Sequence, residues 1–354
     1  MRAYIATLSL FMSLLNTPSG AGQLQGVNLS GAEFKDIKQT STTATPFGRL
    51  NKDYAWPDPL VLKGWQDRGV TVVRLPFRWE RVQPDLRGDV SLDHIAKLVE
   101  VASRGTTVVI LDMHNYGNRW VSTPDGVKQA QIDGPSGLVT RDDYADVWRK
   151  IAERFKDYPL VQFDLMNEPH DLKSADAATE AEILRRMYQA AIDAIRGAGA
   201  TNSIHIEPPN WAKSGALVSS FSDAALSLRD PADNLIFQVH QYVDKGEKGI
   251  LPDAANGDVD AGRRKIEAAT EWARKHRKIL FLGEFGIPNA SSSSGLTAAS
   301  RMIDHVQGNP DVWLGWTAWG GGKAWREDYV FRLESTPPVD PAGRLLLFEK
   351  LHSK

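Results

Sequence analysis

Short apolar runs alternate with longer amphipathic stretches along most of the chain. Eight of the apolar runs have the length and composition of strands, and they cover residues 24–29, 71–75, 106–112, 161–166, 203–207, 235–240, 279–284 and 312–319. Several are almost continuously apolar, as expected for parallel strands that are buried on both faces. The stretches between them have helical spacing, for example residues 92–103, 144–155, 177–196, 261–276 and 296–306. This alternation predicts an α/β fold, a single (β/α)8 TIM barrel.

An open, doubly wound sheet is the main alternative to a closed barrel. Such a sheet would favour a glycine-rich phosphate loop after the first strand, but residues 26–31 are GVNLSG and lack the G-x-G-x-x-G spacing. No internal repeat, linker or low-complexity tract marks a second domain, so residues 22–354 are predicted to form one catalytic domain. Residues 34–56 form a long connection after the first strand, which we expect to wall a substrate groove.

The first 21 residues have the layout of a secretory signal peptide. Arg2 precedes an apolar run at residues 3–15, and residues 18–21 (PSGA) are of the small kind that a signal peptidase accepts. The run is too short to span a bilayer comfortably. We therefore predict a signal peptide at residues 1–21, cleavage near Ala21 and a secreted protein, either periplasmic or extracellular. The chain contains no cysteine, so no disulfide bond would stabilise the exported domain.

Composition limits the classes of partner. The chain has 354 residues, of which 42% are hydrophobic and 24% charged, and its formal net charge is -2. This balance offers neither a basic face for nucleic acid nor a polybasic membrane anchor. It suits a neutral polymer as substrate without proving one, and we expect a monomer.

Polar side chains cluster where the predicted strands end, and in barrel enzymes the carboxyl ends of the strands carry the active site. The residues at or just after these ends are Arg74, His114, Asn115, Asn167, Glu168, His240, Tyr242, Glu284 and Trp319. Any one of them alone would be ordinary, because a single Glu or His is usually solvated or structural. Together on one rim they favour catalysis, since buried ionisable groups cost stability unless they are paired.

Glu168 and Glu284 follow the fourth and the seventh predicted strand, which lie on nearly opposite sides of a barrel mouth. Two facing carboxyl groups are the requirement for glycoside hydrolysis: one donates a proton to the leaving oxygen, and the other attacks or activates water. We expect Arg74 and the Tyr242 hydroxyl to hold Glu284 as a carboxylate. Glu168, near His240 and flanked by apolar residues, would keep its proton longer.

The residues around these positions resemble motifs of glycoside hydrolase family 5. The matching strings are VRLPF at residues 73–77, DMHNYG at 112–117, LMNEPH at 165–170, VHQY at 239–242 and FLGEFG at 281–286. The resemblance runs in order from Gly26 to about Leu333. Within the family the chain resembles the secreted endoglucanase branch, which has segments like those at residues 26–34 (GVNLSGAEF), 56–58 (WPD) and 311–315 (DVWLG).

The resemblance implies a retaining hydrolase with Glu168 as acid/base and Glu284 as nucleophile, their carboxyl groups about 5 Å apart. The supporting residues of the family then correspond to Arg74, His114, Asn167, His240 and Tyr242. Asn167 is placed to hydrogen-bond the 2-hydroxyl of the sugar. The remaining member is the tryptophan that ends the last strand, for which we assign Trp319 rather than Trp316. The family needs no metal ion or other cofactor, and the chain shows no close metal-ligand spacing such as H-E-x-x-H.

Eleven tryptophans are many for a chain of this length. Flat aromatic faces match the apolar C–H faces of equatorial β-linked sugars, so tryptophans that follow strand ends are expected to line subsites. The tryptophans assigned to this role are Trp319, Trp211, Trp325 and Trp120. Hydrogen bonds to outer sugar rings are assigned to Asn28, His170, Asn210 and Lys323, each with an alternative role as a surface or turn residue.

We predict hydrolysis of internal β-1,4-glucosidic bonds in β-glucan polysaccharides such as cellulose, or in cello-oligosaccharides, with retention of anomeric configuration. A β-mannanase or xyloglucanase of the same family is an alternative, because subsite loops rather than catalytic residues decide between these substrates. A transglycosylase of the same architecture and a non-catalytic glucan-binding barrel are further alternatives. Binding alone would not require both Glu168 and Glu284, which disfavours the non-catalytic barrel.

Overall fold

The computed structural model describes residues 22–42, 44–176, 178–334 and 342–352. The signal peptide predicted at residues 1–21 lies outside the described residues. Within the described ranges, no helix combines the length and the apolar composition needed to cross a membrane.

Eight parallel strands in the described part of the chain close into a barrel, which confirms the predicted fold. In chain order the strands are β1 (Leu24–Leu29), β2 (Val72–Phe77), β3 (Val108–Met113), β4 (Asn118–Thr123), β5 (Gly126–Gln131), β6 (Val161–Asp164), β7 (Ile204–Ile206), β8 (Leu235–His240), β9 (Ile279–Glu284) and β10 (Trp313–Gly321). Strands β4 and β5 form a separate antiparallel hairpin. The others follow one another around the barrel, and β10 pairs with β1 to close it.

Helices connect most of these strands. In chain order they are α1 (Ile37–Thr40), α2 (Pro59–Gln66), α3 (Trp79–Val82), α4 (Asp93–Arg104), α5 (Arg141–Phe155), α6 (Glu180–Gly197), α7 (Ser214–Ser219), α8 (Ser222–Ser227), α9 (Ala261–His276), α10 (Ser294–Gln307) and α11 (Ala342–His352). The predicted long helices correspond to α4, α5, α6, α9 and α10. Local sequence fixes their starts: Thr140 and Asp143 form a capping box on α5, and the Ser293 side chain caps α10.

The β4–β5 hairpin was not predicted from the sequence. Its period-two pattern is weak because most of β5 is exposed or half-buried, so few of its residues need to be apolar. The hairpin follows β3 and therefore stands at the carboxyl end of the barrel. Trp120 on β4 and Gln129 on β5 are partners in register, and both line the cleft described below.

The side chains inside the barrel change character along its axis. Near the amino ends of the strands they form an apolar group, here named the floor cluster, which consists of Val72, Val108, Ile110, Ile236 and Phe281. Side chains alternate along a strand, so the next inward position lies two residues further on. At these positions the inward residues form a buried polar group, here named the ionic layer, which consists of Arg74, Asp112, Asp164, Glu207 and Gln238.

Candidate active site

The carboxyl ends of the barrel strands bring together the polar residues that the sequence placed on one rim. Arg74 lies on β2, His240 ends β8 and Glu284 ends β9. The others follow strand ends directly: His114 comes after β3, Asn167 and Glu168 come after β6, and Tyr242 comes after β8. Parallel strands end at one face of the barrel, so residues far apart in the chain become neighbours there.

The carboxyl groups of Glu168 and Glu284 face each other across this mouth. One carboxylate oxygen of each, together with a ring nitrogen of His240, lie within 4.8 Å of one another. Retaining glycosidases hold their two carboxyl groups about 5–5.5 Å apart, whereas inverting enzymes leave about 6.5–9.5 Å for a water molecule. The separation therefore fits a carboxylate that attacks the sugar directly.

Glu284 is held at the end of β9 by three side chains. The Tyr242 hydroxyl donates to Oε1 at 2.7 Å, Arg74 Nη1 donates to Oε2 at 3.4 Å, and His240 Nδ1 lies 3.9 Å from Oε2. Burial nevertheless raises the pKa of Glu284, and the charge of Glu168 raises it further. Arg74 and His240 lower the pKa of Glu284 and so favour its charged form, and the expectation that Glu284 is held as a carboxylate stays a prediction. A proton on Glu168 removes one of the two raising influences, so Glu284 ionises more readily when Glu168 is the acid.

Glu168 has a left-handed backbone conformation, with a φ of 44°. A residue other than glycine in this region costs about 1–3 kcal/mol and persists only where the surroundings hold it. The backbone N–H of Glu168 donates to Glu207 Oε2 at 2.6 Å. Its Oε1 accepts from His240 Nδ1 at 2.9 Å. These two contacts fix the backbone and the carboxyl group of the same residue.

His240 has a carboxylate at each ring nitrogen. Nδ1 contacts Glu168, and Nε2 lies 3.2 Å from Glu207 Oε1. Burial alone would lower the pKa of His240, but Glu207, Glu284 and Glu168 together raise it well above its ordinary value. The ring is therefore an imidazolium that donates from one nitrogen to Glu168 and from the other to Glu207.

Arg74 is the cation of the ionic layer. Its guanidinium lies 3.0 Å from Asp112 Oδ2, 2.8 Å from Asp164 Oδ2 and 3.1 Å from Glu207 Oε1. Burial raises the pKa of Asp112 to about 8 and that of Asp164 well above its ordinary value, while Arg74 opposes both shifts. Arg74 thus favours the charged forms of these two groups against the effect of burial.

Of the members of the ionic layer, only Arg74 was predicted from the sequence. Gln238 Nε2 donates to Asp164 Oδ2 at 2.7 Å and also to Glu207, so the missed residues form one network. A signal for them existed. Asp112 stands two residues after Ile110, and Gln238 stands two residues before His240. Residues two apart on a strand share a face, so Asp112 lies on the face of Ile110 and Gln238 on the face of His240.

His114 and Asn167 connect this network to the cleft. His114 Nδ1 lies 2.7 Å from Asp112 Oδ2, and Asn167 Oδ1 accepts from Arg74 Nη2 at 2.8 Å. Burial lowers the pKa of His114 well below its ordinary value, and Arg74 lowers it further, so the ring is neutral. With Nδ1–H directed at Asp112, the His114 Nε2 is an acceptor, and it lies 3.1 Å from the Tyr116 hydroxyl and 3.3 Å from Asn167 Nδ2. The Asn167 amide is thereby fixed in orientation.

Asn28 does not face a sugar site, contrary to its predicted role as a substrate contact. Its side chain has no exposed surface. Nδ2 donates to the carbonyls of Gly283 at 3.0 Å and Thr317 at 3.3 Å, and Oδ1 accepts from Arg74 Nη1 at 3.0 Å. Both donors are used inside the barrel, so Asn28 supports the guanidinium of Arg74 instead of binding substrate.

A cleft of about 490 Å³ lies beside the carboxyl pair. Three predicted platform residues line it, namely Trp319, Trp325 and Trp120. Phe34 and Ile37 also line it, so the long connection after β1 forms one wall, as expected. The cleft is thus lined by several aromatic side chains.

The two tryptophans considered for the end of the last strand have different surroundings. Trp319 lines the cleft and stacks on His114, with ring centroids 5.6 Å apart and ring planes 11° apart. Trp316 has no exposed surface and packs against Phe285. These positions favour Trp319 over Trp316 for sugar contact.

Trp211 follows β7 and contacts Tyr116, which lines the cleft. Residues 210–212 all have left-handed φ values of 60°, 62° and 51°, and the turn leaves the Trp211 side chain 43% exposed. The His170 ring stacks on it with centroids 3.4 Å apart, and Tyr116 meets it edge-on. Asn210 and Lys323 are exposed, and their predicted contacts to outer sugars stay predictions.

Glu168, His240 and Glu284 carry the donor atoms that could hold a metal ion, because those atoms are mutually within 4.8 Å. Metal binding would require His240 to give up a proton, since a ligating imidazole is neutral. The carboxylates that surround His240 favour its protonated form. The contacts are therefore accounted for by hydrogen bonds, and the absence of a metal requirement stays a prediction.

Known proteins match this chain over nearly its whole length. The family model described as cellulase (glycosyl hydrolase family 5) matches residues 27–322. Endo-β-1,4-glucanase A of Emericella nidulans is 31% identical over 340 residues, which cover 95% of this chain and 94% of the relative. A triple variant of an endo-β-1,4-glucanase from Xanthomonas axonopodis pv. citri has a TM-score of 0.81 at 33% identity, covering 93% of this chain and 99% of that one. XacCel5A in complex with cellopentaose has a TM-score of 0.79 at 34% identity, with the same two coverages of 93% and 99%.

Proposed function

The chain belongs to glycosyl hydrolase family 5, and we propose that it is a retaining endo-β-1,4-glucanase that cleaves internal bonds of β-glucan chains. The observation that carries the proposal is the pair Glu168 and Glu284, with carboxylate oxygens within 4.8 Å at a barrel mouth. A relative named endo-β-1,4-glucanase and a neighbour solved with cellopentaose support a cello-oligosaccharide or β-glucan as substrate. Fold alone would not support this assignment, because one barrel hosts many substrates.

In the first step, Glu168 protonates the glycosidic oxygen while Glu284 attacks the anomeric carbon. The bond to the leaving chain breaks, and an ester forms between the sugar and Glu284. The geometry supports these roles because His240 Nδ1 directs the Glu168 carboxyl at 2.9 Å, and the Tyr242 hydroxyl orients Glu284 at 2.7 Å. Asn167, whose amide is fixed by Arg74 and His114, is the donor proposed for the sugar 2-hydroxyl.

In the second step, Glu168 acts as the base. Having given up its proton, it deprotonates a water molecule that attacks the anomeric carbon and releases Glu284 as a carboxylate. Two inversions at one carbon give net retention. The imidazolium of His240 lies against Glu168 in both steps, so it stabilises the carboxylate that forms after the first proton transfer.

The cleft supports a neutral, ribbon-like substrate. Trp319, Trp325 and Trp120 line the cleft, and Trp211, stacked on His170, adds a further exposed aromatic face. Several aromatic faces suit consecutive sugar rings, and a relative named endo-β-1,4-glucanase and a neighbour solved with cellopentaose support binding along a chain rather than at its end. We therefore propose cleavage at internal bonds.

The test compares viscosity loss with reducing-sugar release on carboxymethylcellulose, galactomannan and xyloglucan. Wild type should thin carboxymethylcellulose rapidly while little sugar is released. Glu168→Gln should lose about 10²–10⁴-fold in rate, as expected for a lost general acid. Glu284→Gln should lose about 10⁴-fold or more, because the nucleophile itself is gone. Glu182→Gln makes the same chemical change on the half-buried surface of α6 and should leave the rate unchanged.

The outcomes separate the alternatives. Preference for galactomannan or xyloglucan would keep the mechanism and replace the substrate. Longer products from cello-oligosaccharides would indicate transglycosylation. Equal activity in wild type, Glu168→Gln and Glu284→Gln would overturn the assignment of the catalytic pair.

We also propose that residues 1–21 act as a signal peptide and that the protein is exported. The support is the sequence pattern alone. Amino-terminal sequencing of the protein recovered from the periplasm or medium should start at residue 22, and recovery of an intact Met1 there would contradict the proposal.

A further inference from the structure

Glu207 follows β7 directly and has no exposed surface. Its Oε2 accepts from the backbone N–H of Glu168 at 2.6 Å. Its Oε1 is the meeting point of three donors, with Arg74 Nη2 at 3.1 Å, His240 Nε2 at 3.2 Å and Gln238 Nε2 in hydrogen-bond contact. Glu207 thus contacts Arg74, the backbone N–H of Glu168 and the ring of His240, which is itself the hydrogen-bond partner of the Glu168 carboxyl group.

The site requires a carboxylate for two reasons. Burial alone would raise the pKa of Glu207, but His240 and then Arg74 lower it to about 2, so the group is ionised. Every partner is also a donor, and an ionised carboxyl group offers acceptors only. An amide of the same size must place an NH2 group against at least one of these donors.

Asp164 provides a matched comparison within the ionic layer. It has no exposed surface, and its Oδ2 accepts from Arg74 Nε at 2.8 Å and from Gln238 Nε2 at 2.7 Å. Its hydrogen bonds go to these two residues rather than to Glu168 or His240. Among the described residues its Oδ1 has no partner. Asp164 and Glu207 therefore share two partners and differ in their link to the acid.

We propose that Glu207 is a positioning residue for the acid Glu168, which it fixes through the backbone N–H of Glu168 and through the ring of His240. The inference rests on the proposed glycosidase function. The left-handed backbone of Glu168 needs an external contact to hold it, and Glu207 supplies one at the residue itself. A displacement of about 1 Å in a catalytic group can cost about 100-fold in rate.

The Glu207→Gln variant breaks one of these contacts selectively. Its amide oxygen is favoured at the Oε1 position, where three donors converge, so its NH2 group faces the N–H of Glu168. Two donors then face each other, and Glu168 loses its anchor while Arg74 and His240 keep an acceptor. Asp164→Asn is the control, because its NH2 group can occupy the position of the partnerless Oδ1.

The experiment measures kcat/KM on two aryl cellobiosides. The 2,4-dinitrophenyl leaving group departs without a proton, whereas the unsubstituted phenyl group needs general acid catalysis. The ratio of the phenyl value to the dinitrophenyl value therefore reports how well the acid is placed. Both substrates are tested on the same sample, so the ratio does not depend on the fraction of each variant that is folded.

Glu207→Gln should lower the ratio about 10- to 100-fold, with the larger loss on the phenyl substrate. Glu168→Gln should lower it further, because the acid is removed. Asp164→Asn should reduce both substrates alike and change the ratio less than about twofold, since it disturbs Arg74 without touching the acid.

Equal losses on both substrates in Glu207→Gln would overturn the inference, because they would show a general structural role. The proposed function would still stand if Glu168→Gln lowered the ratio in the same experiment. An unchanged ratio in Glu168→Gln would instead refute the acid role of Glu168, and with it both the proposed function and the inference. The two failures are therefore distinguishable.

Discussion

The floor cluster and the ionic layer occupy the same strands but hold the barrel together by different means. On β2 the inward residue changes from Val72 to Arg74, and on β3 it changes from Ile110 to Asp112. All four side chains are fully buried. Two residues further along the same strand, the interior of the barrel therefore changes from packed apolar side chains to paired charged side chains.

The two groups respond differently to the loss of one member. An apolar group is stabilised by removal from water, which is non-directional, so the loss of one methylene group leaves no unpaired polar partner behind. A buried ion pair regains its desolvation cost only when its partners and hydrogen bonds are complete. The ionic layer is thus the more fragile region, although both are equally buried. It is also the region in contact with Glu168 and Glu284.

The comparison would be tested most strongly by Arg74→Met. The substitution leaves carboxyl groups buried without their cation, and breaking such a pair costs about 3–5 kcal/mol. Because Arg74 lowers the pKa values of Glu207 and Glu284, both values should rise in the folded variant, and these groups would take up protons more readily. The free energy of unfolding lost at pH 7 should then be partly regained at pH 5. Urea unfolding at both pH values measures the effect.

Arg119→Met is the control for Arg74→Met. Arg119 is also buried, but its guanidinium donates to the backbone carbonyls of Gln83 and Pro84 instead of to carboxylates. Its loss should cost the same free energy of unfolding at pH 5 and pH 7. A loss in Arg74→Met that is equally independent of pH would contradict the ionic account of the layer.

Glu33 sharpens the comparison, because it is a buried carboxyl group outside the ionic layer. Its side chain is 5% exposed, Oε2 accepts from the Gly31 N–H at 2.7 Å, and among described residues Oε1 has no partner. Burial raises the pKa of Glu33 from 4.5 to about 7. The unfolded chain therefore loses this proton first as pH rises, and the folded protein retains it.

The stability of the protein should therefore fall as the pH rises. The stability that protonated Glu33 contributes is complete below about pH 4.5 and is lost as pH rises through about pH 7. The Tm of wild type should therefore fall from pH 5 to pH 8. The fall should be a few degrees smaller in Glu33→Gln, which has no proton to lose. Parallel Tm curves for the two proteins would show that Glu33 is not protonated in the folded state.

The sequence predicted the parts of the molecule whose signals are periodic or local. Strands β1, β8 and β9 have the predicted bounds, because apolar runs bounded by polar residues mark buried parallel strands. Glu168, Glu284 and their rim neighbours were found because polar residues at strand ends stand out against those runs. The β4–β5 hairpin was missed because it is half exposed and lacks a strong alternating pattern.

The ionic layer was missed for a different reason. Asp164, Glu207 and Gln238 each need partners from other strands, and the sequence does not show which polar side chains meet inside a barrel. Asn28 was misassigned for the same reason, since its side chain turns inward to Arg74. Burial, which raises the pKa of Glu284, is likewise a property that the sequence does not show.

The smallest expected effect belongs to the floor cluster. Ile110→Val removes one methylene group from an apolar site, which should cost about 0.5–1.5 kcal/mol in free energy of unfolding. The cost should be the same at pH 5 and pH 7, and kcat on carboxymethylcellulose should not change, because the floor cluster carries no charge. Asp112→Asn, two residues along the same strand, should reduce kcat through His114 and Arg74, which both contact Asp112. If Ile110→Val lowered kcat as much as Asp112→Asn, charge would not be the property that links the ionic layer to catalysis. The distinction drawn between the floor cluster and the ionic layer would then be wrong.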